Sequence, residues 1–211
     1  MYVIDEEHYR IEMEPILKQV FSLEDPDTDI SFTDNISERR ILFLNSIYLD
    51  NSLLNAIIHA AYSLEDEGCY VTLIDRISKQ PNHCYIPVEE MHIALVEGEL
   101  HRDLKMLFWS DYAIYSSQGR WGLLTTSGKY GLLGGSSEFI QQVELAFPAL
   151  NNQVYDFLQY WKEEEIDAVK HTEHLEMLIR VKTWIPNLLK HIYGDELAMR
   201  ILQEVELCSD N

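Results

Sequence analysis

Cysteine, positive charge and long apolar runs are all scarce in this sequence, and each shortage removes a class of protein. Three cysteines, Cys69, Cys84 and Cys208, are too few and too scattered for a disulfide framework. None belongs to a Cys-x-x-Cys pair, so neither a zinc knuckle nor a thioredoxin-type redox site is indicated. Three free thiols in a reducing, cytoplasmic setting are the simplest account. No apolar run approaches the roughly 18 residues that a membrane-spanning helix needs. Met1 to His8 is acidic where a secretory signal would be basic, and it lacks the apolar stretch of one. Lys and Arg total 16 against 36 Asp and Glu, a formal charge of −20 with histidines neutral. That field repels nucleic-acid phosphates and anionic lipid, and it speeds encounter with a basic protein. The expected partner is therefore a basic protein rather than nucleic acid or membrane, and no motif asks for a cofactor. The plainer account of the charge is solubility alone.

What is present is enough for a packed core. A chain of 211 residues can bury roughly 70% of the surface its unfolded form exposes, without help from metal or disulfide. Glu6 to Leu23 reads as helical, with Ile16, Leu17, Val20 and Phe21 on one face and Pro15 suited to a first turn. The acidic loop Glu24 to Asp29 follows. Between Met1 and Glu38 there are eleven acidic residues against Arg10 and Lys18, so the negative excess gathers at this end. Arg40 to Asn45 fits a short buried strand or a piece of helix. Asp50 can cap a helix over Asn51 to Glu65, ended by Gly68. Cys69 to Ile74 is β-branched and aromatic, a strand, and Tyr85 to Val88 suggests another limited by Pro87. Glu89 to Leu107 is helical in pattern despite Gly98.

From Asp111 to Gly135, three short runs, Tyr112–Tyr115, Trp121–Thr125 and Lys129–Leu133, alternate with Ser/Gly turns. They predict a three-stranded antiparallel meander. Gly135 or Ser136 then caps a helix with Glu138 in its first turn. Beyond Pro148 the pattern is helical only, with a kink expected at Pro186 and a break at Gly194. The fold class is thus α+β: residues 1–148 form a mixed helix and sheet core with the meander, and residues 149–211 form a C-terminal helical segment that packs on that core or makes a small second unit.

Several motifs approach chemistry and stop short of it. Gly122 to Lys129 is one residue too long for a phosphate-binding loop, and Tyr130 stands where Ser or Thr must bind magnesium. His171 and His174 share a helical face beside Glu173, but their spacing matches no zinc-hydrolase motif, so a solvated face is the better reading. A metal there would need a further ligand such as Glu163 or Glu164. His83-Cys84 with His92 invites a thiol reading, yet nothing sets up a thiolate, and Cys84 suits a buried strand position. Tyr112, Tyr115, Trp121 and Tyr130 could stack a sugar or base, although cross-strand packing fits them better. Trp161 and Trp184 sit at helical spacing among leucines and read as core.

The stretch from Asp111 through the Trp121-Gly-Leu-Leu strand to Tyr130-Gly-Leu-Leu-Gly-Gly-Ser-Ser-Glu-Phe-Ile140 resembles a pattern in small bacterial proteins, among them immunity-type proteins that accompany secreted toxins. The resemblance covers about thirty residues and implies a cytoplasmic antidote that binds a toxin and blocks it. No catalytic residue is carried over. The first reading is therefore a non-enzymatic acidic protein whose Asp25, Asp27, Asp29, Asp34 and Glu38 meet a basic partner. Two alternatives stand beside it. One is an enzyme with a dispersed site built from His171, His174, Glu163 and Cys84, and the other is a structural or assembly protein.

Overall fold

The computed structural model describes residues 1–22, 31–44, 50–74, 82–96, 111–126, 130–170 and 175–205. Strand β1 (Tyr2–Ile4) leads into α1 (Glu6–His8), whose first amides are capped by the Asp5 carboxylate accepting from the Glu7 and His8 N–H groups. The helical backbone passes through a π-helical turn, Tyr9–Met13, into α2 (Glu14–Val20). It therefore starts well before Pro15. Pro15 has no N–H to donate, and the wider turn, closed by the Glu14 N–H on the Tyr9 carbonyl, falls directly before it. The helix ends at Val20 because β2 (Phe21–Ser22) pairs with β3 (Ser31–Phe32), bringing the Phe21 and Phe32 rings to 5.1 Å.

Strand β4 (Glu38–Phe43) follows, then α3 (Asn51–Ser63), capped by Asp50 as its sequence predicts. At its C-terminus the left-handed position is taken by Glu65, at φ +55°, rather than by Gly68, which already belongs to β5 (Gly68–Leu73). β6 (His83–Pro87) precedes a 3₁₀ turn (Val88–Glu90) and a second π-helical turn (His92–Val96). The helix expected over Glu89 to Leu107 is thus irregular in its first turns, and the remainder lies outside the described residues. The meander is present as β7 (Tyr112–Ser116), β8 (Trp121–Thr125) and β9 (Tyr130–Gly135). Ser136 caps α4 (Ser137–Ala146), its hydroxyl oxygen accepting from the Phe139 N–H.

These strands make one antiparallel sheet of seven, ordered β1-β6-β5-β7-β8-β9-β4. Pleating sends alternate residues to opposite faces. On one face Cys69, Val71, Leu73, Cys84, Ile86, Ile114, Trp121 and Leu133 pack with Leu53, Leu54 and Ile57 of α3 and Phe139, Ile140 and Val143 of α4. The Trp121 and Phe139 rings lie parallel at 5.2 Å. The α1–α2 segment and the β2–β3 ribbon cover part of the other face. Fold class is α+β.

The chain divides into two compact units, Met1–Asn151 and Asn152–Asn211. The second contains α5 (Gln153–Lys170) and α6 (Leu175–Glu204). α6 breaks at Gly194, whose φ of +76° suits a residue without Cβ, while Pro186 stays in helical backbone. Trp161 and Trp184 meet edge to face at 5.9 Å, each half-buried. Among the described residues no helix is long and apolar enough to cross a membrane.

Candidate functional site

The uncovered part of the sheet begins with a row of side chains set by strand register. Tyr2 lies opposite Tyr85, Tyr85 opposite Tyr70, and Tyr70 opposite Tyr115. The row continues through Gly122 and Gly134 to Arg39. Side chains directly opposite each other on one face are close enough to touch. Accordingly, ring centroids run at 6.5 Å from Tyr2 to Tyr85, 5.3 Å to Tyr70 and 5.7 Å to Tyr115.

At the glycine end the face is closed. Ideal Cβ atoms on Gly122 and Gly134 would fall 2.5 Å from the Val20 methyl and 2.6 Å from the Ile36 methyl, so the end of α2 and the ribbon sit directly on the backbone there. At the tyrosine end a cavity of about 500 Å³ remains, within the usual size of ligand sites. Tyr2, Tyr70 and Tyr85 form its floor, Glu12 and Glu67 supply carboxylates, and Ile4, Ser117 and Gln118 complete the wall. Burial and then the negative charge of Glu12 and Glu67 push the Tyr70 phenol upward; burial and Glu67 act likewise on Tyr85. Both rings therefore stay protonated at neutral pH.

Two polar networks hold this geometry. Above the floor, His83 lies parallel to the Tyr9 ring at 3.7 Å, with its Nδ1 3.4 Å from Thr72 Oγ1 and its Nε2 3.5 Å from a Glu6 carboxylate oxygen. Thr72 Oγ1 is in turn 3.1 Å from the Tyr115 hydroxyl. This chain ties α1 and the π-helical turn, and with them Glu12, to the sheet. At the rim, the buried Asp66 carboxylate accepts from Trp121 Nε1 at 2.5 Å and from Ser116 Oγ at 3.0 Å, with Arg120 Nε 3.7 Å away. The guanidinium of Arg120 also donates to the Leu64 carbonyl. Burial raises the Asp66 carboxyl above the ordinary value, against the lowering effect of its hydrogen bonds and of Arg120. Asp66 and Ser116 immediately precede Glu67 and Ser117, so the network fixes the two turns that carry the pocket rim. Tyr85 donates to the Glu67 carbonyl at 3.1 Å, and the Ser117 N–H to the Gly68 carbonyl at 3.0 Å.

The residues singled out from the sequence fall elsewhere. Asp25, Asp27 and Asp29 lie outside the described residues. Asp34 is exposed in the turn after β3, and Glu38 is engaged by Arg40 at 3.1 Å. His171 and His174 also lie outside the described residues, whereas Glu163 is exposed and accepts from Gln159 Nε2 at 2.9 Å. Cys84 is fully buried, and His83 beside it points to the opposite face of the sheet, so the two form no catalytic pair. Burial pushes the neighbouring Cys69 thiol well up, away from thiolate chemistry. Among the described residues no group of three or more His, Cys, Asp or Glu side chains could hold a metal ion. Tyr112, Tyr115, Trp121 and Tyr130 are all buried, as cross-strand packing predicts, and they offer no surface for stacking.

Sequence reasoning missed Tyr2, Tyr70, Tyr85, Glu12 and Glu67. The only local signal was the spacing of Tyr70 and Thr72 in a strand pattern. Their assembly depends on pairings between strands far apart in the chain. No family model, curated protein or solved structure matches the chain.

Proposed function

We propose that this chain is a non-enzymatic acidic binding protein that docks a basic protein partner at the face carrying the tyrosine-floored pocket. The observation that supports it is the pocket's lining, which among the described residues combines phenolic rings with two carboxylates and no cationic side chain, in a chain of net charge −20. An acidic field with low-dielectric walls draws positive ligands and raises their association rate. The resemblance of the Asp111 to Ile140 stretch adds the finer reading, a cytoplasmic antidote whose partner is a secreted toxin. Asp25, Asp27, Asp29, Asp34 and Glu38 would then steer the encounter, and the pocket would hold it.

The test is to capture the partner from host lysate, express it separately, and follow recombination of the two purified proteins by stopped flow over a range of salt. Association is expected to be fast at low salt and to slow by about one hundredfold toward the unsteered range of roughly 10⁵–10⁶ M⁻¹s⁻¹ as salt rises. Neutralising Asp25, Asp27, Asp29 and Asp34 together should flatten that dependence. Glu38→Gln is best made separately, because its carboxylate also holds Arg40. A salt-independent rate, or a purified partner with no basic surface, would remove the reading.

A further inference from the structure

The pocket is specific enough to name what enters it. Among the described residues, neither Glu12 nor Glu67 has an ion-pair or hydrogen-bond partner for its carboxylate, and the lining contains no Lys, Arg or His. Glu6 and Glu14 on the same N-terminal segment, by contrast, are each placed against a basic side chain. Two uncompensated negative charges over an aromatic floor attract a cation twice, once through the charges and once through the ring faces. The floor is not flat, with Tyr70 tilted 54° from Tyr85 and Tyr85 within 20° of Tyr2. A sugar lays one C–H face on a single open ring, whereas a cation can be met by several rings at different tilts.

We propose that the pocket is the anchor site for one arginine side chain of the basic partner, its guanidinium stacked on one of the Tyr70 and Tyr85 rings and met by the other at a tilt, between the Glu12 and Glu67 carboxylates. The inference deepens the reading of the chain as a binder of basic proteins and rests on it for the source of the arginine. Arginine suits the site better than lysine. Its guanidinium is planar, stacks on rings, sheds water more readily and meets carboxylates with paired N–H donors. Ser117 strengthens the assignment, because its hydroxyl oxygen is shut off from solvent without a hydrogen-bond partner among the described residues. The Gln118 amide stands beside it on the wall.

The test uses the full chain with ¹³C-labelled tyrosine rings, titrated with capped Gly-Arg-Gly, Gly-Lys-Gly and Gly-Gln-Gly peptides. The arginine peptide is expected to shift the Tyr70 and Tyr85 signals with millimolar affinity, the lysine peptide to bind several-fold more weakly, and the glutamine peptide not to bind. The Glu12→Gln/Glu67→Gln double variant should weaken the arginine peptide by about tenfold. Both carboxylates are exposed, so this variant keeps its fold, and Glu138→Gln, exposed at the start of α4 on the other side of the sheet, serves as the acidic control. Equal shifts from all three peptides, or shifts from a neutral methyl glycoside and none from arginine, would overturn the assignment. The two readings fail separately. A captured basic partner whose affinity the double variant leaves unchanged overturns the arginine anchor alone, whereas arginine binding with no basic protein partner overturns the docking reading alone.

Discussion

Asp66 offers the sharpest test of how the pocket is held. Its carboxylate, the Trp121 indole and the Ser116 hydroxyl are all essentially buried, at 3%, 0% and 0% exposure. Asp66→Ala takes the acceptor from the Trp121 N–H, and a buried donor left unpaired costs about 1–3 kcal/mol. The Ser116 O–H loses its acceptor too, but a hydroxyl can rotate toward another, so its share is the smaller one; its oxygen keeps the bond from the Gln118 N–H at 3.1 Å. Removing a carboxylate that burial disfavours returns part of this. The net expectation is a loss of about 1–3 kcal/mol for Asp66→Ala. Asp66→Asn keeps an oxygen for the indole and discards the charge, so it should cost no more than about 1 kcal/mol.

The pH dependence separates charge from hydrogen bonding. Because the folded carboxyl titrates above its ordinary value near 3.8, the folded state binds the proton more readily than the unfolded state. The contribution of Asp66 is therefore fully present below 3.8 and is lost as pH rises through the raised folded value. Relative to the Asp66→Asn variant, the native protein should gain stability as pH falls. Urea unfolding followed by the Trp121 indole N–H signal measures both effects at the residue concerned. If Asp66→Asn costs as much as Asp66→Ala, or if their difference from the native protein does not change between pH 7 and pH 4, the network does not work through the Trp121 acceptor.

Two further outcomes follow from the same face and its opposite. Gly122→Ala puts a methyl within 2.6 Å of both the Val20 methyl and the Phe21 ring, and urea unfolding should show a loss of about 1–3 kcal/mol from the displaced segment; an unchanged midpoint would mean that α2 does not seat there. The buried Tyr112 phenol is pushed up to about 12, whereas the unfolded chain ionises at 10. The stability it contributes is complete below 10 and falls as pH rises from there toward 12, so ultraviolet titration should show tyrosinate absorbance lagging in the native protein and jumping on alkaline unfolding. A native titration that superimposes on the unfolded one would contradict the burial of Tyr112.

Local features were readable and long-range ones were not. The meander could be predicted because its turns lie within a few residues of the strands they join, and α3 because Asp50 and the Leu53, Leu54 and Ile57 stripe occupy one continuous stretch. The Gly68 expectation failed because a single non-glycine residue, Glu65, accepted the left-handed conformation three residues earlier. Glu38 was chosen for its charge alone, and nothing local showed that Arg40, two residues on and so on the same strand face, reaches it. The strand order β1-β6-β5-β7 was invisible, since Tyr2 pairs with Tyr85 across most of the first unit and nothing in either neighbourhood announces the other. A site assembled by that order could not be read without it.

The row from Tyr2 to Arg39 explains why a cavity exists here at all. Where the row is glycine, Val20 and Phe21 settle onto the backbone and leave no space. Where it is tyrosine, the rings fill that layer themselves, so the same N-terminal segment, held at its start by Tyr9 on His83, stands off from the sheet. The π-helical turn lies between these two supports. Tyr9 and Met13, four apart, are both buried within it, while Glu12 reaches the pocket wall. A wide turn of this kind carries one extra residue per ring and is found disproportionately at functional sites, because it offsets the side-chain phase without ending the helix. Here the offset lets one short segment bury two side chains in the core and still bring a free carboxylate to the pocket. Among the described residues no side chain pairs with that carboxylate, so it adds charge to the pocket rather than stability to the core.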